Sequence, residues 1–250
     1  METNHSRDLL LALGRAAQSV QRARTEEEVY HAVGDQIKSL GEDAALYIVT
    51  GERRMLALAH TTYAPEVVRS VEALFGEKAI GYQVEFPPDT VYAKSLESGR
   101  TEYIHWTENH ISSALPAPLR PLAGKFMRLL KIEQGILAPL RADEEELGLL
   151  IVNGPSLTED DVPVMESFAA QIAISLRNVR LTQQMQAELA ARRTAEENLR
   201  LQSAALEAAA NAIAITEEDI IRRADQALYA AKQAGRNRTV VFDAETGGSG

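Results

Sequence analysis

Cysteine is absent from this 250-residue chain, which removes disulfides, thiolate nucleophiles and thiolate links to metals or cofactors, and suits a reducing compartment. Positive charge is scarce too: 26 Lys and Arg stand against 36 Asp and Glu, a formal charge of -10. A chain so acidic repels phosphate backbones and anionic lipid, which argues against nucleic-acid and membrane partners. The N-terminal apolar patch around Leu9, Leu10 and Leu13 is broken by Gly14 and Arg15, too short for a signal peptide or a membrane span. The expected location is cytoplasmic. No phosphate-binding Gly-rich loop, HExxH or GxSxG occurs, so catalysis has no visible home. The 45% of hydrophobic residues is ample for a core.

Helical and strand periods alternate through the first two thirds. Leu9, Leu10, Leu13, Ala17 and Val20 share a helical face, and Thr25 with Glu28 opens a second helix that Gly41 ends. The β-prone runs "AALYIVT" and "RMLALAHTT" around "GERR" predict a hairpin over Ala45 to Thr62. Pro65 to Phe75 returns to helical spacing before Gly76, "YQVEF" reads as a strand stopped by Pro87-Pro88, "TVYAKSLESGR" as a helix ended by Gly99, and "TEYIHW" as a strand. After a loop, "PAPLRPLAGKFMRLLKIEQ" enters a helix. Two apolar runs, Gly135 to Leu140 and Leu147 to Val152, flank an acidic turn and predict an antiparallel hairpin with a solvated tip.

The acidic clusters have plain structural roles. Glu159 to Asp161 suits a helix N-terminus, and Asp143 to Glu146 a soluble hairpin tip. From Thr158 the helical pattern holds no Gly or interior Pro up to about Ala210 apart from Pro163 in its first turn, roughly 80 Å at ~1.5 Å per residue. Its apolar positions Met165, Phe168, Ile172, Leu176, Val179, Met185, Leu189, Leu199 and Leu206 recur at near-heptad intervals, weakened around Arg192 and Glu196. The expectation is a parallel coiled coil making a homodimer.

Strand, acidic turn, strand "LGLLIVNG", then "LTEDD" capping a helix with "FAAQIAISLRNVRL", resembles the closing half of a GAF domain, over roughly Ser6 to Leu181. The resemblance implies an α+β fold: a central antiparallel sheet, helices on one side, a loop-roofed pocket on the other, and dimerisation through the terminal helices. The sensor domain is expected over 1–181, with the signalling helix over 158–210 overlapping its end.

The remainder is mosaic. Residues 199–216, ending "NAIAIT", resemble the lead-in helix and first strand of a PAS domain, and 217–243 resemble the last helix and strand of a GGDEF domain, the diguanylate cyclase module. "ADQALYAAKQAGRN" carries that second resemblance, and it implies that Lys232 and Arg236 are a vestigial pair of phosphate-binding cations. The GG[DE]EF loop itself is missing, and without carboxylates to clamp metal, phosphoryl transfer loses most of its catalysis. Arg222 to Asp225 spells RxxD, but in the closing helix it reads as a solvated face. Ile220, Ile221, Ala224, Ala227, Leu228 and Ala231 form an apolar stripe expected to fold back on the long helix or to pair with its copy. Residues 244–250 read as a flexible tail.

Tyr92, Tyr103, His105, Trp106 and Phe126 are the candidate pocket residues, since rings give large contact areas at small entropic loss. Core packing explains the same rings, so both readings stay open. His105 and His110 flank Trp106 closely enough to suggest haem or metal, but surface or core histidines are the commoner case, and no metal is expected. Without cysteine a thioether-linked bilin of the usual kind is excluded, and the cofactor is left unknown. The expected function is a non-catalytic GAF sensor that relays small-molecule binding through the coiled coil in cyclic di-GMP signalling. The alternatives are a diguanylate cyclase and a structural dimerisation module with an empty pocket.

Overall fold

The computed structural model describes residues 18–50 and 55–233, with Gly14 and Gly235. The first hairpin becomes β1 (Asp43–Thr50) and β2 (Met55–Thr61). The expected strand "YQVEF" shrinks to β3 (Gln83–Val84), "TEYIHW" gives β4 (Glu102–His105), and the acidic-tipped hairpin is β5 (Gln134–Ala142) with β6 (Glu145–Asn153). Together they form one antiparallel sheet in the order β3-β2-β1-β6-β5-β4. The latest hairpin in the chain thus lies at the centre, against the earliest strand. Two compact units divide the chain, Met1–Gln184 and Met185–Gly250, and the sheet belongs to the first.

Six α-helices have bounds set by the described residues: α1 (Glu26–Ser39), α2 (Pro65–Phe75), α3 (Val91–Ser98), α4 (Glu108–Ala114), α5 (Ala123–Leu130) and α6 (Val162–Gln233). Their starts follow capping chemistry. Thr25 Oγ1 accepts from the Glu28 amide at 3.2 Å, while the Glu28 carboxylate accepts from the Arg24 amide at 2.6 Å. Before α6, Thr158 and Asp161 form a reciprocal capping box, with Thr158 N donating to Asp161 Oδ2 at 2.8 Å.

Strand alternation sends side chains to two separate cores. On one face, Ala44, Leu46 and Ile48 of β1, Ile136 and Ala138 of β5, and Leu150 and Val152 of β6 pack on α1 and the first turns of α6. From α6 that cluster takes Met165, Phe168, Ile172, Leu176 and Val179, all within 5% exposure. This corrects the expected dimer seam: these five side chains are consumed by the chain's own sheet, and the near-heptad spacing there is that of a core-facing helix. Only the later positions stay open, with Leu189, Leu199 and Leu206 exposed at 52%, 65% and 72%.

Arg180 ends the sheet-bound stretch of α6. Its Nε and Nη2 donate to the two carboxylate oxygens of Glu26 at 2.9 and 3.2 Å, and the Tyr30 hydroxyl donates to the same carboxylate. Burial alone would push the Glu26 pKa up, but the bonds from Arg180 and Tyr30 outweigh it and the carboxyl titrates below its ordinary range.

A second difference lies further along. "NAIAIT", expected as a strand, is helical, and α6 runs unbroken to Gln233. A short β-prone run has no value without a partner strand, whereas its flanks are rich in helix formers. The apolar stripe beyond it does not fold back: Ile220, Ile221 and Leu228 lie in the same helix and are exposed.

A histidine pair marks the helix-covered face. His60 of β2 meets His31 of α1 edge-on at 4.9 Å, and Gly34 leaves it room, since a Cβ there would stand 2.3 Å from His60 Nε2. Burial, and then the neighbouring His31, lowers the His60 pKa, while Asp35 opposes them. A folded-state value below the unfolded one, about 6.5, means that acid favours the unfolded chain. The His60 contribution is complete above that value and is lost as pH falls below it toward the folded pKa. Melting followed by circular dichroism from about pH 7.5 to 5.5 is therefore expected to show a falling midpoint, with a shallower fall in His60→Gln. Parallel slopes for the two proteins would refute the assignment.

Candidate functional site: an aromatic cavity

The other face of the sheet is covered by α2, α3, α4 and α5, which enclose a cavity of about 200 Å³ against β1, β2 and β6. Strand parity chooses its floor: Ala45 and Tyr47 of β1, Leu58 of β2, and Ile151 and Asn153 of β6 point into it. Val68, Val71 and Phe75 of α2 form one wall, and Phe86, Tyr92, Trp106 and Phe126 another.

Rings organise that second wall. Phe86 stacks on Tyr92 with centroids 4.4 Å apart and planes 13° from parallel, and Tyr92 stacks on Trp106 at 5.7 Å and 22°. Tyr47 meets Phe86 edge-on at 6.0 Å, and Phe75 is tilted against Phe126 at 5.5 Å. Such offset and edge contacts are the favoured aromatic geometries. They rest on segments with firm starts: Thr90 caps α3 by accepting from Ala93 N at 3.2 Å, and Gly99 ends it in the left-handed conformation at φ 67°.

One polar cluster of the cavity is built around Asn153. Asn153, 7% exposed, accepts from Trp106 Nε1 at 2.7 Å through Oδ1 and donates through Nδ2 to the Tyr63 hydroxyl at 2.9 Å. The indole can only donate, so the amide orientation is fixed, and the Tyr63 oxygen, already accepting, keeps its own proton free to donate. Gly135 makes this cluster fit, because a Cβ there would lie 2.4 Å from Asn153 Oδ1 and 2.7 Å from Trp106 Nε1. Burial is the main cause that raises the phenol pKa values of Tyr47, up to about 12, and of Tyr63 and Tyr92. All three remain protonated donors at neutral pH.

Of the five residues expected here, Tyr92, Trp106 and Phe126 line the cavity and two do not. Tyr103 and His105 occupy the positions of β4 that face away from Ile104, so Tyr103 packs toward the α1–α6 side and His105 is exposed, their rings 5.2 Å apart edge-on. A strand cannot send Tyr103, Ile104 and His105 to one side. His110 sits instead by Trp106, ring centroids 6.2 Å apart. Among the described residues no group of three His, Asp or Glu side chains is arranged to hold a metal. Sequence reasoning missed Tyr47, Tyr63 and Asn153. The alternation in "AALYIVT" carried the signal for Tyr47, but nothing local marks the other two.

At the far end of α6, Lys232 is exposed. Arg236, its expected partner, lies outside the described residues, as do the expected closing strand and the 244–250 tail. No helix among the described residues is long and apolar enough to cross a membrane.

The architecture is that of a GAF domain. A GAF domain from a Coxiella burnetii phosphoenolpyruvate-protein phosphotransferase matches 71% of this chain and 97% of its own, at 15% identity and a TM-score of 0.54. The GAF domain of the Acinetobacter phosphoenolpyruvate-protein phosphotransferase matches 69% of this chain and 94% of its own, at 12% identity and a TM-score of 0.51. No protein-family model matches the sequence, and no curated protein matches it significantly. At such identities the likeness concerns the fold, and function must be argued from the cavity.

Proposed function

We propose that this chain is a non-catalytic, cytoplasmic sensory module whose cavity binds a small molecule and whose α6 passes the bound state to a second copy and onward. The observation that carries this reading is β6. Its Ile151 and Asn153 line the cavity, while Leu150 and Val152, which alternate with them, pack in the core shared with α6. A ligand that moves one set must move the other, because a packed strand has few independent arrangements. Exposed Leu189, Leu199 and Leu206 supply apolar positions for a partner helix.

The link to cyclic di-GMP rests on the resemblance of Ala224 to Asn237 to the closing helix of a cyclase. The cyclase reading is tested directly by incubation with GTP and magnesium, for which no cyclic di-GMP is expected. Native mass spectrometry is expected to show a dimer retaining a small molecule, released together with a change in the sedimentation or cross-linking of the long helix. An empty dimer indifferent to added small molecules would leave only a structural dimerisation module. Cyclic di-GMP formation would overturn the non-catalytic reading.

A further inference from the structure

How the cavity uses its rings points to a ligand class, an inference that rests on reading the cavity as a binding site. We propose that it takes an uncharged, largely apolar molecule of about ten non-hydrogen atoms, with an acceptor oxygen directed at the hydroxyls of Tyr47, Tyr63 and Tyr92.

Size comes first. An apolar cavity of about 150 Å³ accommodates benzene, so the interior of about 200 Å³ suits one substituted ring, and a nucleotide would have to extend out through its open side. Charge comes second. The charged residues along the cavity are Glu72, Glu77 and Lys78, a net negative set, and the Glu72 carboxylate is held by the Ala79 amide at 3.0 Å. Lys78 is the one cation lining it among the described residues, set against two carboxylates, so a carboxylate or phosphate would give up its hydration for little charge compensation.

A cationic ligand is the other chemistry that an aromatic cavity suggests, and it needs open ring faces, where the π-electron density lies. Here the central rings are engaged with one another. Tyr92 is stacked against both Phe86 and Trp106, and Phe86 also meets Tyr47 in an edge-to-face contact. What Tyr92 keeps free is its edge and its hydroxyl, the electropositive parts of the ring.

The donors are the third observation. Tyr92 is 4% exposed, and neither its hydroxyl nor that of Tyr47 has a hydrogen-bond partner among the described residues. The Tyr63 hydroxyl accepts from Asn153 and so retains its proton for a further partner. Burial first, and then the nearness of the phenols to one another, holds off their ionisation. Three donors opening onto an apolar space match an acceptor such as a ketone, ester or amide oxygen.

The experiment uses Trp106, the only tryptophan of the chain and part of the cavity wall, as a fluorescent reporter. The full-length protein is titrated with four probes of similar shape: acetophenone, ethylbenzene, benzoate and phenyltrimethylammonium. Acetophenone is expected to give a saturable change with a Kd of about 1 mM, appropriate to so small a ligand, and to bind about tenfold more tightly than the other three. Tyr92→Phe is expected to weaken acetophenone about fivefold, the effect of one ordinary hydrogen bond, while leaving ethylbenzene and the melting temperature little changed. Equal binding of acetophenone and ethylbenzene, or an acetophenone affinity unaltered by Tyr92→Phe, would overturn the role of the hydroxyls. Preference for benzoate or the ammonium ion would overturn the ligand class while leaving the cavity as a binding site. If no probe gives a saturable change and no molecule is retained in native mass spectrometry, the binding-site reading fails, and the ligand class with it.

Discussion

Gly148→Val is expected to abolish cooperative unfolding of the sheet, with a loss of about 4 kcal/mol or more, the upper end for a single substitution. Gly148 sits in β6 opposite Ile48, in the central β1–β6 pair. A Cβ built there would lie 2.1 Å from the Tyr47 carbonyl oxygen and 3.1 Å from Ile48 Cα. Both obstacles are backbone, so no side-chain rotation relieves them, and separating the strands would break the ladder that carries both cores. Domains of this size have about 5–15 kcal/mol in hand, so most of it would go. Gly124→Ala is the control. Its Cβ would meet only the exposed Glu108 carboxylate, at 2.3 Å, which can swing aside, and alanine favours the helix by about 0.5–1 kcal/mol. Urea titrations of the two variants should differ by most of the transition, and equal midpoints would show that the central strands tolerate separation.

The second large effect separates the two parts of α6. Ile172→Ala is expected to cost about 2–5 kcal/mol, as buried aliphatic truncations do, because Ile172 is 0% exposed in the cluster shared with α1 and the sheet. Leu199→Ala, at a position 65% exposed, is expected to change unfolding of the sheet-bearing unit by no more than about 0.5 kcal/mol while weakening self-association in sedimentation. If Ile172→Ala left the urea midpoint in place and instead dissociated a dimer, the coiled-coil assignment of the first turns would be restored.

These contrasts also show where the sequence was legible. Sheet and helices were visible because their periods are local: the alternation in "AALYIVT" and "LGLLIVNG" and the caps at Thr25, Thr90 and Thr158 are written within a few residues. The partner of an apolar stripe is not local. Met165 to Val179 has the spacing of a dimer seam and of a core face alike, and only the sheet beneath decides between them. The cavity was half legible for the same reason. Tyr92, Trp106 and Phe126 announced themselves as clustered rings, whereas Tyr63 and Asn153 are 90 positions apart and meet only because β6 lies beside β1. For Tyr103 and His105 the information was present, since strand parity excludes them once Ile104 packs on the cavity side of the sheet. "NAIAIT" failed differently, because β-propensity without a neighbouring strand has nothing to act on.

The grip of Arg180 on Glu26 marks a seam along which the polypeptide can be cut. Residues up to that guanidinium owe their conformation to the layers beneath them, and Gln184 closes the unit they belong to. Truncation after Gln184 should therefore yield an autonomous fragment with the melting behaviour of the parent, while trimming back past Arg180 would leave a half-buried carboxylate without its cation and loosen the start of α1.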